Sequence, residues 1–137
     1  MRLRDSAHEP TYATQGSVGF DVWTSEAADI EPGAIELVGT GLVIATPPGW
    51  ALLVCLRSST PKRFGVMQPH GIGVIDRDYM GAEDELRLQL LNFTHDAVRI
   101  PEGSRIAQGV FVRAEQAIWT AHTPGAESRG GFGSTEG

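Results

Sequence analysis

The chain has 137 residues, a formal net charge of −6 and a single cysteine, Cys55. Its length fits one domain that buries roughly two thirds of its unfolded surface and needs no covalent staple. Its cysteine count excludes an internal disulfide and a cysteine-based zinc site, and fits a reducing compartment. The acidic balance disfavours a general nucleic-acid binder, whose affinity comes from Lys and Arg on phosphates. No apolar run approaches the ~20 residues of a membrane span, and the N-terminus shows no apolar leader, so a cytoplasmic soluble protein is expected. The four histidines, His8, His70, His95 and His122, show no ligand spacing. A phosphate-bearing ligand would therefore be small, its charge met by a few arginines, backbone N–H groups and a divalent metal.

Short strands are expected in chain order at 20–24, 35–38, 42–46, 50–56, 73–76, 86–93, 105–112 and 117–121. Leu86, Leu88 and Leu90 alternate with Arg87 and Gln89, the period-two signature of a half-buried strand. Turn residues punctuate these runs at 31–33, 39–41, 47–49, 101–103 and 123–125. Many short strands at close spacing read as an all-β sandwich or barrel. One short helix fits after Arg57, where Ser58, Ser59, Thr60 and Pro61 offer capping residues and a first-turn proline. There is no internal repeat and no second globular domain.

Five segments carry chemistry. Gly16 and Gly19 lead into Phe20 and Asp21; alone, this is a turn entering a strand. Arg57, Ser58 and Ser59 follow the apolar run 50–56; they suit phosphate oxygens, or equally form an N-cap beside a surface arginine. The richest segment runs from Gly71 to Gly81. It holds Asp76 and Asp78, two residues apart and so on one face of an extended chain, then Tyr79. Its bracketing glycines read as a tight hairpin whose backbone approaches a ligand. Arg105 and Gln108 open a later strand. The glycine-rich end from Ser128 to Gly137 has no apolar face to dock. It carries a cation, one ring (Phe132) and two hydroxyls, either as a flexible tail or as a lid over a planar polyanion.

In this order the five motifs (Gly16, Gly19, Phe20 and Asp21; Arg57 to Ser59; Gly73 to Gly81; Arg105 to Gln108; Arg129 to Thr135) resemble those of the trimeric dUTP pyrophosphatases and span nearly the whole chain. The resemblance implies a jelly-roll-like distorted β-barrel with at most one short helix. It implies a homotrimer with active sites shared between subunits, residues 1–125 forming the barrel and 126–137 a C-terminal arm exchanged between subunits. The implied reaction is hydrolysis of dUTP to dUMP and pyrophosphate with Mg²⁺ on the triphosphate, which keeps uracil out of DNA and supplies dUMP. Asp76 matches the base that activates water. A carboxylate is a weak base, so it orients the water and takes its proton as attack proceeds. Tyr79 matches the ring that packs on deoxyribose and leaves no room for a 2′-hydroxyl. Backbone groups around Gly73, Val74 and Ile75 would read uracil, with His70 lining the nucleoside pocket. Arg57, Ser58, Ser59 and Gln108 match phosphate contacts. Phe132 would stack over uracil, with Arg129, Gly133, Ser134 and Thr135 near the terminal phosphates. No residue matches a direct metal ligand; Asp21 would reach the metal through water.

The chain departs from the family pattern at three places. Ala82, Glu83 and Asp84 lengthen the segment after Gly81 by about three residues. His70 stands where many members have asparagine, and Glu127 where the tail usually has arginine, making Arg129 the substitute. Two rival readings are a dCTP deaminase of the same fold, which lacks its glutamate motif here, and a dUTP-binding trimer without turnover.

Overall fold

The structure, a computed structural model, describes residues 4–121 and Gly125. Its strands are β1 (Phe20–Trp23), β2 (Ala28–Ile30), β3 (Ile35–Gly39), β4 (Trp50–Leu56), β5 (Val66–Met67), β6 (Gly73–Ile75), β7 (Arg87–Asn92), β8 (Val98–Ile100) and β9 (Arg105–Arg113). One helix, α1 (Thr60–Phe64), lies between β4 and β5. All pairings are antiparallel. Among the described residues they form a four-stranded sheet in the order β1-β9-β4-β6, a three-stranded sheet β3-β7-β5 and a β2-β8 pair.

The core lies between the inward faces of these sheets. Phe20 and Val22, Leu52 and Val54, Val38, Leu88, Leu90 and Ile100 form one buried cluster. The leucine alternation places Leu86, Leu88 and Leu90 inside, as expected. A fully buried leucine such as Leu52 or Leu90 contributes up to about 3 kcal/mol by burial, an upper estimate. Gly109 of β9 is required here, because an added Cβ would stand 2.3 Å from the Phe20 ring. Asn92, also fully buried, spends its whole amide on the backbone: Nδ2 donates to the carbonyls of Ile30 and Asp96, and Oδ1 accepts from the Thr94 N–H and hydroxyl.

Helix α1 forms where the Ser59–Pro61 signals place it and ends at Gly65, whose φ of 67° is the left-handed cap conformation. A Cβ there would stand 2.3 Å from Thr94 Cγ2, a second reason for glycine. Two expected strands do not form. Residues 40–42 instead make isolated contacts: the Thr40 hydroxyl donates to the Leu86 carbonyl, the Gly41 N–H to the Glu85 carboxylate, and the Leu86 N–H to the Leu42 carbonyl. Residues 117–121 run without a ladder partner among the described residues, and Ile118 and Trp119 are 92% and 91% exposed.

The segment read as a tight hairpin is a crossing between sheets. β6 pairs with β4, whereas β7 pairs with β3 and β5. Residues 76–86 carry the chain from one sheet to the other, and the extended run stops at Ile75. Val74 is 63% exposed because Gly73 and Ile75 take the inward positions.

Candidate active site

Asp21 lies on β1 opposite Gln108 of β9, and Gln108 lies opposite Cys55 of β4. The Asp21 side chain is buried, and both of its oxygens face guanidinium groups: Oδ1 is 3.3 Å from Arg57 Nε, and Oδ2 accepts from Arg105 Nη1 at 3.0 Å. A buried carboxylate needs such partners, because desolvation penalises an unpaired charge. Each guanidinium keeps further N–H donors, so the arrangement presents two aimed cations on an otherwise acidic chain. The Arg57 backbone is fixed by its N–H to the Ile106 carbonyl, and the Thr60 hydroxyl donates to the same oxygen. Ser58 and Ser59 are exposed beside Arg57. Ser59 occupies the N-cap of α1 yet makes no side-chain capping bond, so the simple N-cap reading does not account for its hydroxyl.

A β-bulge explains how Arg105 joins this group. The register runs Val22 to Ala107 and then Trp23 to Arg105, skipping Ile106. Strict alternation would put Arg105 and Gln108 on opposite faces. The extra residue restores them to one face and lets Ile106 and Ala107 both be fully buried. Sequence reasoning quoted Arg105 but gave it no role, since a bulge has no signal in periodicity. The adjacent apolar pair Ile106 and Ala107 was the available hint.

The second group surrounds β6. A Cβ at Gly73 would sit 3.4 Å from Gln68 Nε2, 3.5 Å from the Val54 carbonyl oxygen and 3.6 Å from His70 Nε2. Gln68 donates to that carbonyl, and its Nε2 lies 3.0 Å from His70 Nε2. His70 and Gly73 are therefore neighbours, and Gln68 is the residue sequence reasoning missed between them. Further along, Ile75, Asp76 and Asp78 line a cavity of about 390 Å³ with Trp50, Ala51, Arg77 and Glu115. Asp76 and Asp78 share this cavity through a turn rather than an extended face: the Tyr79 N–H donates to the Asp76 carbonyl and the Met80 N–H to the Asp78 carbonyl. Asp76 itself is exposed and is in no ion pair among the described residues. Tyr79 is 41% exposed, and its hydroxyl donates to the Glu85 carbonyl at 3.0 Å.

One chain thus gathers Asp21, Arg57, Ser58, Ser59 and Gln108 at one end of β4. It gathers His70, Gly73, Val74, Ile75, Asp76 and Tyr79 along β6 and beyond. Ile75 lies opposite Leu52, so Asp76 falls at the level of Ala51, six residues from Arg57. At ~3.3 Å per residue the two levels are about 20 Å apart. Arg129, Phe132, Gly133, Ser134 and Thr135, with the whole 126–137 arm, lie outside the described residues.

The geometry defines an all-β protein with an aimed cation pair at one end of a strand and a free carboxylate at the other. The dUTPase family model matches residues 5–136. The chain is 36% identical over 129 residues to the deoxyuridine 5′-triphosphate nucleotidohydrolase of Lactococcus lactis, covering 92% of this chain and 86% of that one. It is 40% identical over 131 residues to that of Desulfotalea psychrophila, covering 92% and 85%. The crystal structure of the dUTPase from Streptococcus mutans matches with a TM-score of 0.78 at 30% identity, covering 85% of this chain and 97% of that one. The chain belongs to the dUTPase family and has its jelly-roll β fold.

Proposed function

We propose that this dUTPase-family chain hydrolyses dUTP to dUMP and pyrophosphate by attack of water on the α-phosphorus, with Asp76 as general base. The observation that carries the reading is the paired presentation of Arg57 and Arg105 by the buried Asp21, with Gln108 on the same face. Charge-assisted donors in fixed positions suit a triphosphate and the charge that builds on its leaving group. Arg57, Ser58, Ser59 and Gln108 are assigned to the phosphates. Tyr79 is assigned to the deoxyribose, and the backbone of Gly73, Val74 and Ile75 with His70 to uracil. The arm residues Arg129, Phe132, Gly133, Ser134 and Thr135 are assigned to closing the site.

Mg²⁺ belongs to this reading as a companion of the substrate. Among the described residues no group of three His, Cys, Asp or Glu is placed to hold a metal, and both Asp21 oxygens already face guanidinium groups. That donor set fits an ion carried by phosphates and water, with Asp21 reaching it through water. When bound, Mg²⁺ would neutralise charge on the departing pyrophosphate.

The site is proposed to be shared between copies in a homotrimer. Two observations support this. A separation of about 20 Å along β4 is too long for Arg57 and Asp76 of one chain to meet around one phosphorus. One chain also leaves Ile35, Leu37, Met67, Phe93, Ile118 and Trp119 exposed, more apolar side chains than a lone subunit needs to show. These exposed apolar residues are assigned to contacts between copies of this chain, and the cytoplasm is its proposed compartment.

The test is complementation. Arg57→Ala and Asp76→Asn chains, each inactive alone, are mixed by refolding, and pyrophosphate release from dUTP is followed. Recovered activity is expected, because a hybrid assembly contains sites with both native residues. No recovery in a mixed assembly, verified by light scattering, would place each site within one chain. Release from dTTP, dCTP or UTP at the dUTP rate would overturn the substrate assignment.

A further inference from the structure

We propose that Glu85 is a positioning residue for Tyr79, and through it sets discrimination between a 2′-deoxyribonucleotide and a ribonucleotide. The inference rests on the assignment of Tyr79 to the sugar. Residues 76–83 are all exposed, and the backbone bonds within this crossing are local. The Gly81 N–H donates to Asp84 Oδ2, the Asp84 N–H to the Gly81 carbonyl, and the Glu85 N–H to the Glu83 carbonyl. Bonds of this kind shape a loop but do not tell it where to sit on the barrel. The Tyr79 hydroxyl reaches further, to the Glu85 carbonyl.

Glu85 is the point where the crossing is fastened. Its residue is 7% exposed, and its Oε1 accepts the Gly41 N–H at 2.7 Å. Its Oε2 lies 3.3 Å from Arg87 Nε and 3.6 Å from Arg4 Nη2. Arg4 also pairs with Glu26, whose other oxygen accepts the Gly39 N–H. The buried carboxylate is thus balanced by the neighbouring Arg87 and by a cation and a backbone donor from two distant segments, Arg4 and Gly41, which fixes the Glu85 backbone far better than the loop fixes itself. The carbonyl that receives Tyr79 belongs to that fixed backbone. A ring held at its far end by a fixed acceptor keeps one orientation, and a stacking wall excludes a 2′-hydroxyl only if it cannot swing aside.

The experiment measures kcat and KM for dUTP and for UTP in Glu85→Gln, Glu85→Ala, Tyr79→Phe and Tyr79→Ala. Loss of fold would lower activity on both substrates alike, so the readout is the ratio of the two kcat/KM values. Glu85→Ala is expected to reduce the preference for dUTP by about three- to tenfold, the size of one lost hydrogen bond, mainly through KM. Tyr79→Phe, which removes only the hydroxyl, should do the same. The Tyr79→Phe/Glu85→Ala double variant should be no worse than the more severe single change, as expected for two parts of one device. Glu85→Gln keeps the Gly41 bond and should fall between. If Glu85→Ala does not fold, Glu85→Gln and Tyr79→Phe carry the test. If Tyr79→Ala abolishes the preference while the Glu85 variants and Tyr79→Phe keep it, the ring selects without Glu85 and the proposal fails. If Tyr79→Ala also keeps it, the assignment of Tyr79 to the sugar fails first.

Discussion

The two ends of β4 are built in opposite ways. At the Arg57 end a carboxylate is buried and its charge is met by two arginines. At the Ala51 end Asp76 stands exposed in a turn, outside every ion pair of the described residues. The contrast teaches how one fold uses the same side chain twice. The carboxylate that faces two guanidinium groups is neutralised within the protein. The one proposed as general base stands outside every ion pair of the described residues.

The comparison can be broken at either end. The largest effect is expected from Asp76→Asn. Turnover should fall by about 10²- to 10⁴-fold, the range for removing a general base, while dUTP affinity by titration and the melting temperature stay near native. Near-native turnover would remove Asp76 from the chemistry. A coincident loss of stability would show that the exposed end is structural after all. Asp21→Asn should have a smaller and mixed effect. It leaves Arg57 and Arg105 close together without their counter-charge, so kcat/KM should fall about tenfold or more, together with the melting temperature. A change in activity with no change in stability would mean that the two arginines hold their places without Asp21.

The smallest effect sharpens the comparison from a third place. The Glu26 carboxyl is held below the ordinary glutamate value near 4.5, first by the hydrogen bond from Arg4 and then by the Gly39 N–H. A carboxyl depressed in the folded state adds stability that is fully present above its unfolded value and is lost as the pH falls through the folded one. Thermal melts should therefore show native protein losing stability below about pH 4.5 more steeply than Glu26→Gln. Parallel curves would mean that the Arg4 contact contributes nothing in solution.

Much of this was legible in the sequence, and the failures have physical causes. Leu86, Leu88 and Leu90 announced β7 because one face is buried and the other wet. β2, β5 and β8 were missed: two or three residues cannot display a period. Residues 42–46 looked like a strand because Leu42, Val43 and Ile44 are apolar, yet the backbone of 40–42 is satisfied by single contacts to Glu85 and Leu86 rather than a ladder. The motifs named the candidate residues, and the structure brings most of them into two groups. Sequence could not show that the groups are separated by the length of a strand, because β6 and β7 look consecutive while belonging to different sheets. Nor could it give Glu85 a role, since that depends on Gly41 and Arg4, far away along the chain.

The bulge beside Val22 has a consequence for how such chains are recognised. Arg105 and Gln108 are three positions apart in the string, and only the skipped rung at Ile106 turns both toward Asp21. A substitution at Ile106 would disturb packing but leave that parity intact. Removing one residue there would keep Arg105 and Gln108 in the text while turning one of them into the core. A search for letters would still score the motif almost whole, yet the protein would have lost one of the side chains that face Asp21. Here a changed side chain leaves the alternation of faces standing, and a deleted residue does not.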